Sequence, residues 1–177
     1  MSSRSILSDE TSLAKSGSLA EFMFISSEKA SAAVLRGYQI KVKSDSDFCS
    51  FMPPHPGDDV AATENDGVPF CTRPGLGGKA IFPSGFIKSA HFKSTSLYVQ
   101  VTGTTDRGKY SLKQTDGGGQ YDNKNIKSTT CNGYPYFVNL IEPDSNHFCI
   151  RCCKRPSDCN VGISSYGCER VVPGDYS

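Results

Sequence analysis

Cysteine is the residue type best placed to do chemistry in this sequence. Eight are present, and five of them, Cys149, Cys152, Cys153, Cys159 and Cys168, crowd the C-terminal end, while Cys49, Cys71 and Cys131 are spread through the middle. Two chemistries fit. Cys149-x2-Cys152 followed by Cys153-x5-Cys159 supplies four thiolates at a spacing that a tetrahedral zinc ion accepts, which would make this an intracellular zinc-binding protein. An even total at this density fits four disulfides in an oxidising compartment, and three cysteines far from the cluster favour that reading. Cys152 and Cys153 are adjacent, and adjacent cysteines rarely bridge each other because the geometry is strained. On a strand they face opposite sides, so they are expected to bridge two different layers. Eight cysteines allow 105 pairings. The expected ones are Cys49–Cys71, Cys131 with a member of the Cys149–Cys153 group, and the rest within the C-terminal cluster. A Cys49–Cys71 bridge would stabilise by about 3 kcal/mol through loop closure.

Other chemistry-bearing residues are sparser. Asp116, Asp122, Glu142 and Asp144 fall on expected loops near strand ends, and two carboxylates in reach of each other could hydrolyse a glycosidic bond. That is the basis of an alternative reading as a carbohydrate-active or barwin-like enzyme. The run Asp116-Gly117-Gly118-Gly119-Gln120-Tyr121-Asp122 could cradle an ion. It lacks the Lys and Ser/Thr of a phosphate loop and the spaced acids of a calcium loop. A tight turn or bulge with positive φ accounts for it better. His91 sits in an expected strand, while His55 and His147 sit in turns, and the three make no triad or metal spacing. The site candidates are therefore Asp116, Asp122, Glu142 and His91. No catalytic or metal-binding residue is assigned and no cofactor is implied. No Asn-x-Ser/Thr sequon occurs.

The elements that must position these residues are short strands. The chain has 177 residues, with 17 glycines and 10 prolines punctuating it, enough for one domain plus a tail. Nineteen basic against eighteen acidic residues give a net charge of +1, too little field to attract nucleic acid. No apolar run is long enough to span a membrane. Residues 1–37 read as a disordered or short helical N-terminal extension, with Ser26 to Arg36 as the helical part. Strands are expected at Tyr38–Val42, Lys79–Phe82, Phe86–Phe92, Leu97–Gly103, from Tyr110, at Tyr136–Ile141 and at Phe148–Cys152, the last two as a hairpin. Asp58 to Asp66 has room for one helical turn. The fold class is therefore all-β, or mainly β with one short helix: an antiparallel sandwich or barrel stabilised by disulfides over residues 38–177.

Taken together, several runs resemble a family of small cysteine-rich secreted fungal proteins. They begin with Asp47-Phe48-Cys49-Ser50-Phe51-Met52-Pro53-Pro54-His55-Pro56-Gly57 and Val68-Pro69-Phe70-Cys71-Thr72. They continue through Phe82–Phe92, Tyr98–Gly103, Asp116–Asp122 and Phe137–Pro143, and end with Phe148–Cys153 and Val171–Tyr176. The resemblance covers about residues 38–177. It implies an extracellular location and a disulfide framework, and no activity. Members carry a signal peptide just before the position of Tyr38. Here residues 1–37 stand in that place without the basic n-region and apolar h-region of about 7–15 residues that a signal needs. The expectation is an extracellular binding or structural protein, at the cell wall or facing another organism, with cell-wall carbohydrate or another protein as partner.

Overall fold

The computed structural model describes residues 37–177. The expected helix from Ser26 to Arg36, and the extension that contains it, lie outside the described residues. Ten strands follow in order: β1 (Gln39–Ile40), β2 (Cys49–Met52), β3 (Val68–Cys71), β4 (Ala80–Ile81), β5 (His91–Ser94), β6 (Tyr98–Thr104), β7 (Gly119–Asp122), β8 (Thr130–Cys131), β9 (Tyr136–Glu142) and β10 (His147–Cys153). A short helix, α1 (Gly167–Val171), comes near the end.

The main sheet has the order β5-β6-β10-β9-β7, with every pair antiparallel. β10 lies at its centre, and both of its faces are buried, the outer one including Arg151, whose guanidinium donates to Gln100 Oε1 at 2.9 Å. Phe148, Ile150 and Cys152 face an inner core, while Cys149 and Cys153 face an outer one. β9 is built the same way, with Phe137 and Ile141 inward and Val138 and Leu140 outward. This is the continuous apolar pattern of strands covered on both sides.

A second, three-stranded sheet, β2-β3-β4, covers the inner face. Aromatic rings join the layers. Phe51 stacks on Phe137 with centroids 5.0 Å apart, and Phe48 stacks on Phe148 at 5.6 Å. Such pairs add about 0.5–1.5 kcal/mol each beyond their burial. The C-terminal segment covers the outer face, placing Cys159, Cys168, Val171 and Val172 against Val138 and Leu140. The fold is thus mainly β and disulfide-stabilised, as the sequence pattern implies, with two parallel pairings, β3/β4 and β1/β8, added to the antiparallel framework.

All eight cysteines are joined, as Cys49–Cys71, Cys131–Cys152, Cys149–Cys168 and Cys153–Cys159. The four sulfurs that a zinc site would use are therefore all taken up in bridges, Cys153 with Cys159, Cys149 with Cys168 and Cys152 with Cys131. Cys152 reaches inward to β8, while Cys149 and Cys153 reach outward to the C-terminal segment.

Several local expectations are corrected. Tyr110-Ser111-Leu112 has the alternation of a strand, since Tyr110 and Leu112 are both buried. It is instead the end of a 3₁₀ turn, Arg107–Tyr110, in which Asp106 caps the amide of Gly108 at 3.0 Å and Ser111 is left-handed. The strand expected from Phe86 starts only at His91, because the Pro83–Gly85 turn hydrogen-bonds into Phe86 and leaves Ile87 with a single bridge to Thr105. The first strand shrinks to Gln39–Ile40, with Val42 bridging Phe48 alone. The Asp116–Asp122 run is not all loop: Gly119–Asp122 pairs with β9 as the edge strand β7.

Candidate functional site

Glu142 ends β9 and His147 begins β10, directly opposite each other across the hairpin. The outward-facing Cys149 ties this end of the sheet to Cys168 of α1. That bridge brings Tyr166, Gly167 and Glu169 over the Glu142 side chain. Glu142 Oε2 accepts a hydrogen bond from the Cys168 amide at 3.0 Å. Gly167 has φ +74°, and a Cβ there would collide with Glu142 Oε1, so the carboxylate reaches this position only beside a glycine.

The result is a cleft of about 250 Å³ lined by Glu142, Asp144, His147, Tyr166, Gly167 and Glu169, among others. A hollow of about 180 Å³ adjoins it, sharing Glu142 and Gly167 and adding Glu64, Ser164, Ser165 and the Gly117–Gly119 triplet. On the other side an open depression shares His147 and Glu169 and runs under the C-terminal residues Asp175 to Ser177. His147 Nδ1 lies 3.8 Å from Glu169 Oε1, and its ring packs against Tyr176 with centroids 4.9 Å apart. Tyr166 is 65% exposed, and the Arg170 guanidinium lies 5.6 Å from its ring centroid.

Burial holds the Glu142 carboxyl above the ordinary glutamate range. The Cys168 amide and the nearby His147 work against that shift, while Asp144 and Glu169 add to it. A half-buried acid with a raised proton affinity, beside other carboxylates and an exposed aromatic ring, can accept hydrogen bonds, pair with a cation or hold a proton.

The other candidates are occupied elsewhere. Asp116 is buried, and its carboxylate accepts from the Val60 amide at 3.0 Å and the Gly118 amide at 2.8 Å. Asp122 is buried too, accepting from Gln120 Nε2 at 2.7 Å and from the Lys124 amide at 2.6 Å. Both acids satisfy turns rather than face the cleft. His91 Nε2 lies 3.0 Å from the Ser177 carbonyl, and its Nδ1 lies 3.5 Å from Asp175. It fastens the C-terminal residues across the sheet edge. Of the four, only Glu142 reaches the cleft, where Asp144 joins it. Tyr166, Gly167 and Glu169 carry no sequence signal of their own. The one available lead was the Cys149–Cys168 pairing, which a single sequence does not single out.

Comparison with known proteins adds a biological setting. No protein-family model and no solved structure matches the chain. Appressorium protein ROW1 of Mycosarcoma maydis is 33% identical over 156 residues, covering 76% of this chain and 36% of that protein. Appressorium protein ROW2 of the same fungus is 39% identical over 85 residues, covering 47% of this chain and 29% of that protein. The chain is thus similar to fungal appressorium proteins and spans about a third of their length.

Proposed function

We propose that residues 38–177 form an extracellular, disulfide-framed binding domain of a fungal protein, acting at the cell wall or against another organism. The observation that carries this reading is the sulfur framework. All eight cysteines are buried and paired, and three of the four bridges hang on the central strand β10. Such a framework persists where the surroundings are oxidising and is rare where glutathione keeps thiols reduced. The similarity to appressorium proteins supports a fungal setting, and the appressorium is the place of action we adopt for the reading. Binding is preferred to catalysis because Asp116 and Asp122 are committed to backbone and side-chain donors within the fold.

A thiol count on exported protein under denaturing conditions tests the reading, together with the sequence of its mature N-terminus. Fewer than one free thiol per chain, in material recovered outside the cell, is the expected result. Several free thiols, or retention in the cytosol, would overturn it.

The carbohydrate-active reading keeps one supporting observation, the raised proton affinity of Glu142 in its cleft. Turnover of wall polysaccharides by the wild type, abolished in Glu142→Gln, is what that reading requires. A wild type without turnover ends it.

A further inference from the structure

We propose that the cleft beside Tyr166 binds one sugar ring of an oligosaccharide bearing free amino groups. This deepens the reading of the chain as an extracellular binding domain and rests on it. Two independent features of the cleft point the same way.

The first is the ring. Tyr166 is the most exposed of the large hydrophobic side chains among the described residues, at 65% against 46% for Ile81 and 40% for Leu97. A single exposed apolar residue is ordinary. This one stands at the lip of a recess rather than on open surface. A tyrosine offers a flat apolar face with a hydroxyl at its tip. A pyranose offers the complement, a flat face of C–H bonds ringed by hydrogen-bonding groups. The ring sits just before Gly167, whose missing side chain keeps the recess open where Glu142 enters it. The recess and the adjoining hollow together reach the low end of the size range of small-molecule sites, roughly 300–1,000 Å³. That hollow continues along the Gly117–Gly119 triplet and the Ser164 and Ser165 side chains. It gives a second sugar unit backbone and hydroxyl partners.

The second feature is the sign of the charged groups that line the recess. Glu142, Asp144 and Glu169 line the recess and Glu64 lines the adjoining hollow, with no lysine or arginine among the described residues lining either; the Arg170 guanidinium, 5.6 Å from the Tyr166 ring centroid, lies outside both linings. The whole chain is balanced at +1, so this negative field is local. Glu142 spends one oxygen on the Cys168 amide, and Glu64 Oε1 accepts from the Gln120 amide at 2.7 Å. Among the described residues, Asp144 Oδ1 accepts only from its neighbour, the Ser145 amide. Glu169 has the more distant His147 as its partner. Carboxylates lining a recess beside an aromatic platform repel phosphorylated or sulfated ligands. They make short, charge-assisted hydrogen bonds to an ammonium group. An amino sugar presents the apolar ring face and the ammonium group on one small unit.

Calorimetric titration of the full chain with a glucosamine hexamer tests this, with an N-acetylglucosamine hexamer and hexalysine as comparisons. The expected result is binding of the glucosamine hexamer that weakens as salt is raised. The acetylated hexamer should bind at least about tenfold more weakly, because acetylation removes the ammonium charge. Tyr166→Ala should weaken glucosamine binding by about tenfold, Glu169→Gln by a smaller factor, and Ile81→Ala not at all. The substituted side chains are exposed, and unchanged near-UV circular dichroism verifies that each variant keeps the fold. Absence of glucosamine binding at millimolar ligand overturns the proposal. So does equal affinity for the acetylated hexamer, an affinity untouched by Tyr166→Ala, or hexalysine binding as tightly as the sugar. None of these outcomes alters the thiol count or the mature N-terminus, so the broader reading stands or falls separately.

Discussion

Asn139 Oδ1 accepts hydrogen bonds from the Phe51 amide at 2.7 Å and from the Ser50 hydroxyl at 2.8 Å, joining the two sheets through a polar contact inside the aromatic core. Asn139 is fully buried, and its Nδ2 donates back to the Phe51 carbonyl at 3.4 Å. The Phe51 amide depends on this contact, because it points away from β3, as does the Cys49 amide, which donates to the Lys41 carbonyl, and the Pro69 carbonyl opposite accepts from the Lys79 amide. Asn139→Leu keeps the volume and strands two buried donors. It is expected to destabilise the fold by about 2–4 kcal/mol in urea unfolding. A loss under about 1 kcal/mol would mean that water or a shifted β2 satisfies the amide.

The bridges on β10 differ in the length of chain they close. Cys131–Cys152 spans 21 residues and Cys153–Cys159 spans 6. Loop-closure entropy then predicts about 3 kcal/mol lost in a Cys131→Ala/Cys152→Ala pair and about 2 kcal/mol in a Cys153→Ala/Cys159→Ala pair. Denaturant midpoints of the two double variants check the order. The reverse order would show that packing of the outer face outweighs chain entropy.

Much of this framework was legible in the sequence, and the residues show why. In Phe148 to Cys153 cysteines fall on both faces of a strand, so it must be covered on both sides and Cys152 and Cys153 must part, whereas the burial of Arg151 against Gln100 is not written in that pattern. The β9–β10 hairpin could be read from the Glu142-Pro143-Asp144-Ser145-Asn146 turn between the runs Tyr136–Ile141 and Phe148–Cys152. Tyr110 misled because a 3₁₀ turn followed by a left-handed residue also buries alternate side chains. The cleft was hidden for a different reason. Glu142 lies beside Tyr166 and Glu169 only because the Cys149–Cys168 bridge folds the C-terminal segment back over the sheet. Local pattern carries no information about such a long-range link. Asp116 and Asp122 looked like loop acids open to solvent, whereas the turns they stabilise have drawn them inward.

The glycine triplet separates into residues with different duties. Gly118 has φ +91°, and a side chain there would collide with the Ile141 carbonyl of β9. Gly117 faces open space, with Asp144 Oδ2 as the nearest atom at 4.0 Å. Gly118→Ala therefore combines left-handed strain with a backbone clash and should cost about 3 kcal/mol or more. Gly117→Ala should stay within about 0.5 kcal/mol of wild type. Thermal melts of the pair test the assignment, which equal effects from the two alanines would refute.

Glu142 gives the domain a pH dependence of definite sign. Burial raises its carboxyl above the ordinary glutamate value of 4.5. The folded state therefore binds the proton more tightly than the unfolded chain. The stability this contributes is complete below about pH 4.5 and is lost as the pH rises through the folded-state value. His147 moderates the loss while protonated, and Asp144 and Glu169 deepen it. Glu142→Gln removes the titration but keeps a side-chain oxygen for the Cys168 amide. The variant's stability relative to wild type should therefore improve steadily from about pH 4 to about pH 7. Urea midpoints for both proteins across that range give the answer. A difference that is flat, or that runs toward wild type at neutral pH, would show that the Cys168 hydrogen bond to the ionised carboxylate outweighs its burial.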